Sequence, residues 1–214
     1  MLTRSEYLEH HWLPYTMCEE DFLTILEYVA LRPSNLSTSS EKLIRSLLSS
    51  CELFEALMKQ MYVEEFGGGK PLITDYIHAI VADSEFDQNQ TVVLKRGVDL
   101  GARRPLAEIE DGNAPAWWKA HNEVKHNHSK NFEQGSLRHA LDALSALYLS
   151  NLVFARKIGT YWKAMGETEG NSDVDVPNDI SHLFDCPKFE TRYHIASRDS
   201  YYPPNDDLLS YLGL

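Results

Sequence analysis

The chain has 214 residues, 43% hydrophobic and 24% charged, with a formal net charge of -12 at pH 7. That supplies enough apolar material for one domain with a true core, and it argues against a protein that coats nucleic acid, which needs a basic footprint. No apolar run reaches the roughly eighteen residues that cross a bilayer, and the opening MLTRSEYLEHHWLPY lacks a signal-peptide core, so no membrane attachment and a cytoplasmic location are expected.

Cys18, Cys51 and Cys186 form no CxxC spacing, and Cys51 lies among apolar helical residues, where a thiol serves as packing. The charge is uneven. Between residues 95 and 139, Lys and Arg exceed Asp and Glu by two, whereas from residue 159 onward the acids exceed the bases by six. An anionic ligand is therefore best tolerated in the first of these regions.

In chain order, residues 1–16 are aromatic and contain Pro14 without a clear period, and His10–His11 reads as a solvated pair. Asp21 is a candidate cap for a first helix carrying Phe22, Leu23, Ile25, Leu26 and Val29, ended by Arg32-Pro33. Ser39 or Ser40 opens a second helix. Its apolar positions Leu43, Ile44, Leu47, Leu48, Cys51, Phe54, Leu57, Met58 and Met61 keep a helical period for about six turns. Gly67-Gly68-Gly69 ends it; a phosphate loop would need a preceding strand and the GxxxxGK[ST] spacing. Glu52 and Glu55 on this helix are either solvated or line a site.

Asp75–Asp83 suggests a shorter helix, and Thr91–Leu94 is the one β-like run, too short to found a sheet. The connection GVDLGARRPLAEIEDGNAP should be loop or a short helix, with Pro115 placed to start the helix at Trp117. The strongest amphipathic pattern follows at Leu137, Leu141, Leu144, Tyr148, Leu152 and Ala155, widened by Ala140, Ala143 and Leu147. Beyond it the period fades. Asn171–Asn178 is acidic and poor in apolar residues, while Ser181–Phe184, Tyr193–Tyr202 and the final DDLLSYLGL carry enough aromatic and aliphatic residues to pack back as short pieces. The predicted architecture is all-α: an antiparallel bundle of four to five main helices over residues 1–158, with an irregular acidic extension, 159–214, packed on or near it.

The densest cluster of chemically active side chains lies in AWWKAHNEVKHNHSK. In a helix, Asn122 and His126 are one turn apart, as are His121 and Lys125. Imidazole titrates near neutrality and serves as acid or base; an amide and an ammonium can orient and stabilise a charged oxygen. Other readings compete. His121, His126, His128 and His139 might be metal ligands, but HxxxxHxH is no standard zinc spacing and no cysteine completes it, so neither metal nor cofactor is expected. Asn122 and His126 might instead satisfy buried backbone groups at a helix crossing. Lys130, Arg138 and His128 suit a solvated basic face, and Trp117–Trp118 suits core anchoring better than base stacking.

On HNEVKH the stretch resembles the HEPN family (higher eukaryotes and prokaryotes nucleotide-binding), small α-helical bundles of bacterial toxin–antitoxin, abortive-infection and CRISPR-linked systems. The family's motif is R-N-x-x-x-H. Asn122 occupies its polar position and His126 its histidine, while His121 stands where the arginine belongs. The stretch is also similar to uncharacterised bacterial proteins with a WWxxYNxVKHxR pattern before a long Ala/Leu helix; here His121 replaces that tyrosine and His128 that arginine. The resemblance covers residues 115–154 well and the helix 41–64 plausibly. It implies a homodimeric, metal-independent endoribonuclease of a stress or phage-defence system, which leaves a 2′,3′-cyclic phosphate. His126 would be the acid/base, Asn122 would position it or the phosphate, and His121 or Lys125 would supply the lost charge. Lys125, His128 and Lys119 would hold the phosphate or RNA, and an antitoxin-like protein would be a partner. Histidine replaces the arginine only when protonated, and without its bidentate fork. The family also includes members that have lost activity and serve as binding or dimerisation modules, which is the alternative implied for this chain.

Overall fold

The computed structural model describes residues 2–68, 72–75, 78, 90–96, 100–111, 113–164 and 181–187. It is predominantly helical. Five α-helices and one two-stranded ribbon occur among the described residues. We label them α1 (Arg4–Tyr7), α2 (Leu13–Leu26), α3 (Glu41–Phe66), α4 (Ala116–His126) and α5 (Leu137–Ala164), with β1 (Val93–Leu94) and β2 (Phe184–Asp185).

The N-terminal region departs from expectation. Asp21 does not open the first helix: the chain is already helical at Arg4, and α1 passes through a π turn at Leu8–Trp12 directly into α2. Pro14 explains the turn, because it has no N–H for the His10 carbonyl and its ring crowds that group. The wider π turn just before it takes up the mismatch. The buried face then reads Tyr7, Leu8, Trp12, Tyr15, Glu19, Phe22 and Ile25. A glutamate in that stripe and a proline in its frame hide the helical period.

The other helices have local causes. Ser40 caps α3, its hydroxyl accepting the Leu43 N–H at 3.2 Å. Gly67 ends α3 at φ 78°, a left-handed conformation that suits glycine, and its N–H bonds the Val63 carbonyl. Pro115 flanks the start of α4 and has no donor to waste there. α5 is buried on nearly all sides from Ala140 to Ala155 and forms the centre of the bundle. It continues past residue 158 to Ala164.

Contacts give the directions. The starts of α3 and α5 lie together, with the Leu137 N–H bonded to the Thr38 carbonyl at 2.8 Å and Ser39 bridged to Ser136. α1 and α2 run against α5, since Tyr7 reaches Asn151 and Phe154 while Tyr15 reaches Tyr148. α4 runs against α3: Trp117 meets Phe54, and His128, just past the helix, meets Glu41. Gly135 is required where α3 and α5 begin, because a Cβ there would stand 2.0 Å from Ile44 Cγ1.

The β-like run pairs outside the bundle sequence. β1 and β2 are antiparallel, with Val93 opposite Asp185 and Leu94 opposite Phe184. Residues 181–187 thus form a strap over α2 and α5. Phe184 stacks on Tyr148 at 5.5 Å. The buried Glu19 carboxylate accepts from Tyr15 Oη (2.8 Å), Ser181 Oγ, Leu183 N (3.2 Å) and His182 N (3.0 Å). Lys95 Nζ donates to the Ser181 carbonyl. Residues 73–75 and 78 are helical, while the rest of the helix expected at 75–83 lies outside the described residues, as do the segments 171–178, 193–202 and 206–214. No helix among the described residues is long and apolar enough to cross a membrane.

Candidate functional site

The predicted cluster sits on α4, an eleven-residue helix held at both ends. At its start, Trp117 Nε1 donates to the Pro105 carbonyl at 2.7 Å, and both tryptophans are buried against Phe54. Past its end, Asn131 Nδ2 donates to the Glu123 carbonyl at 2.7 Å. Arg103 ties the preceding loop to α5 through Asp142, with Nε to Oδ1 at 2.8 Å. α4 is therefore a seated element whose faces have fixed directions.

Helical geometry divides the cluster into two stripes. Trp118, His121 and Lys125 lie three and four residues apart on the side turned toward α3, while Lys119, Asn122 and His126 repeat in the same way along the outer side. Burial follows this division except at Lys125, which is exposed near the end of the helix. Lys119 and His126 are exposed and Asn122 is half-buried, so the Asn122/His126 pair opens to solvent. His121 is 1% exposed, its ring lying 5.0 Å from that of Trp118. Among the described residues neither of its ring nitrogens has a hydrogen-bond partner.

Burial pushes the His121 imidazole toward its neutral form, and Lys125 adds to that push. Glu52 and Glu55 of α3 pull the other way without prevailing, as does the adjacent Asn122 side chain. A buried polar group left without a partner costs about 1–3 kcal/mol. His121 is thus buried and held toward its neutral form. Glu52 is solvated, whereas Glu55 is half-buried and paired with Lys59 at 2.6 Å. Cys51, buried beside the same carboxylates, has its thiol pushed up by desolvation, then by Glu52 and Glu55, with Lys125 opposing.

The remaining candidates disperse. Lys125 is exposed beside the carboxylates of α3. His128 is exposed, donates through Nε2 to Glu41 Oε2 at 3.2 Å and meets Phe132 edge-on. His139 Nδ1 donates to the Gln134 carbonyl at 2.8 Å. The four histidines weighed as metal ligands have four different surroundings. Among the described residues, no group of three or more His, Cys, Asp or Glu side chains is placed to hold a metal ion.

Position along the helix also matters. His126 is the last residue of α4, where unsatisfied carbonyls form the negative end of the helix dipole. That end attracts cations; phosphates are bound at the opposite end of helices. The exposed stripe can make hydrogen bonds and modest charge contacts, but its backbone offers an anion nothing.

Two features carry little signal in the sequence. Trp118 is the wall of the His121 site, although both tryptophans were visible as anchors. Glu19 is a second buried charged or titratable centre among the described residues, signalled in the sequence by an acid in register with Tyr15, Phe22 and Ile25. His10 is exposed as expected, but His11 is half-buried, edge-on to Phe154 at 5.5 Å, and desolvation followed by His10 lowers its pKa to about 4. No family model, curated protein or solved structure matches this chain.

Proposed function

We propose that the chain is a HEPN-like helical protein that acts by binding, as a homodimer, and does not cut RNA. The burial of His121 supports this most directly: the position that should bring positive charge to a phosphate holds a neutral ring under Trp118. The helix-end location of His126 and the net charge of -12 point the same way. The outer stripe Lys119–Asn122–His126 is then a recognition face. In the systems where the resembled family occurs, an antitoxin-like protein is a fitting partner and RNA or a nucleotide a fitting ligand.

One observation favours the enzyme reading. Asn122 is half-buried and His126 exposed, so an RNA backbone can reach both, with Lys125 exposed as the nearest replacement cation. The deciding experiment incubates end-labelled single-stranded RNA with the protein in EDTA, using wild type and His126→Ala. The expected result is intact RNA with both. Cyclic-phosphate products from the wild type that disappear in His126→Ala would establish a metal-independent ribonuclease instead. Sedimentation of the same preparation tests the dimer, and a monomer at all concentrations would refute that part.

A further inference from the structure

We propose that His121 is a proton-operated latch: its neutral ring seats α4 against α3 between Trp118 and the α3 carboxylates, and its protonation unseats the helix that carries Asn122 and His126. The geometry makes the ring's charge and its position incompatible. At 1% exposure, with neither nitrogen in a formed hydrogen bond among the described residues, an imidazolium has only the adjacent Asn122 side chain as a near acceptor for its two N–H groups. It also lies on one face with Lys125, a turn further along, so a second positive charge arrives beside an existing one.

The charges acting on His121 come from two helices: Lys125 on α4, and Glu52 and Glu55 on α3. On α5, Asp142 interacts with Arg103, His139 and Arg138. Glu52 is exposed and Glu55 is half-buried in its pair with Lys59, so both carboxylates are found toward solvent. To reach them a protonated ring must leave Trp118 and swing outward, and the backbone of α4 must turn with it. Desolvation opposes charging the ring where it lies, so the neutral ring stays seated and a protonated one favours release. Since α4 is one rigid helix, the outer stripe turns by the same angle. Acidification would therefore rearrange the recognition face, and only that last consequence rests on the binding function proposed above.

Amide hydrogen exchange of the full chain, read at residues 118–126 and corrected for intrinsic rates, tests the latch without RNA or a partner. Between pH 7.5 and pH 5, wild-type α4 should lose protection at least tenfold more than α3. In His121→Leu, close in volume but without a titrating group, this excess loss should vanish. His121→Gln, which keeps a polar side chain, serves as the second variant should Leu perturb folding, and it should behave in the same way. His11, a half-buried imidazole whose pKa is lowered to about 4, lies against Phe154 of α5 and remains in both variants as an internal control. Equal loss in wild type and both variants, or unchanged α4 protection in wild type at pH 5, would overturn the proposal.

Discussion

Glu19 and His121 are both polar side chains sunk into the bundle, at 2% and 1% exposure, yet their surroundings are opposite. Glu19 receives four hydrogen bonds, two from backbone amides and two from hydroxyls, and every donor belongs to α2 or the strap. His121 receives none among the described residues and touches an aromatic wall. A buried polar group with all its partners is a fastening; one without partners is a cost the fold carries. Low exposure alone does not tell the two apart, whereas the census of partners does.

The comparison fails if Glu19 proves dispensable. Glu19→Ala strands the His182 and Leu183 amides together with the Tyr15 and Ser181 hydroxyls, though the last two already bond each other at 3.1 Å. At about 1–3 kcal/mol per stranded donor, a loss of about 3 kcal/mol in urea unfolding is expected. The ribbon residues 93–94 and 183–185 should lose exchange protection first.

His121 should respond in the reverse sense. At pH 8, His121→Leu is expected to leave stability unchanged or raise it by about 1 kcal/mol, because it removes two unsatisfied groups. The pH dependence sharpens the contrast. Its folded-state pKa lies below the ordinary 6.5, so on acidification the unfolded chain takes up the proton first. The stability it supports is complete above pH 6.5 and falls as the pH drops toward the folded value, at no more than about 1.4 kcal/mol per pH unit. Unfolding curves at pH 7.5 and 5.5 should show a drop in wild type that shrinks in His121→Leu, leaving the share that belongs to His11. An identical drop in both would remove His121 from the account.

The smallest effect belongs to a third kind of polar contact. His128 and Glu41 pair at 3.2 Å with both side chains roughly half exposed. Surface pairs of this kind contribute about 0–1 kcal/mol. His128→Ala should shift the urea midpoint by no more than a few tenths of a kcal/mol, and less in high salt.

The same distinction explains what the residues revealed in advance. α3 and α5 were legible because their apolar positions repeat without interruption, and Ser40, Gly67 and Pro115 mark boundaries by local chemistry alone. The N-terminal helix was obscured because its stripe contains Glu19 and its ladder is broken at Pro14; the partners that make Glu19 acceptable arrive from residues 181–183. β2 was invisible for the same reason, since a two-residue strand exists only through its distant mate at Val93–Leu94. At the α4 cluster, spacing assigned the pairs Asn122/His126 and His121/Lys125 correctly as neighbours on a helix. It did not say which pair faces inward, because that depends on where α3 lies.

The strap also bears on how the protein is made. Three of the four donors to Glu19 stand more than 160 positions later in the chain. During synthesis α2 therefore emerges with a carboxylate in its apolar stripe that only Tyr15 of the same helix can bond, and that carboxylate keeps its water until residues 181–183 arrive. Contacts this remote in sequence close late because the loop entropy must be overcome first. A polypeptide cut short before Ser181 would keep α3, α4 and α5 yet hold its first helix open. Such an incomplete chain would be the form that proteases and chaperones recognise.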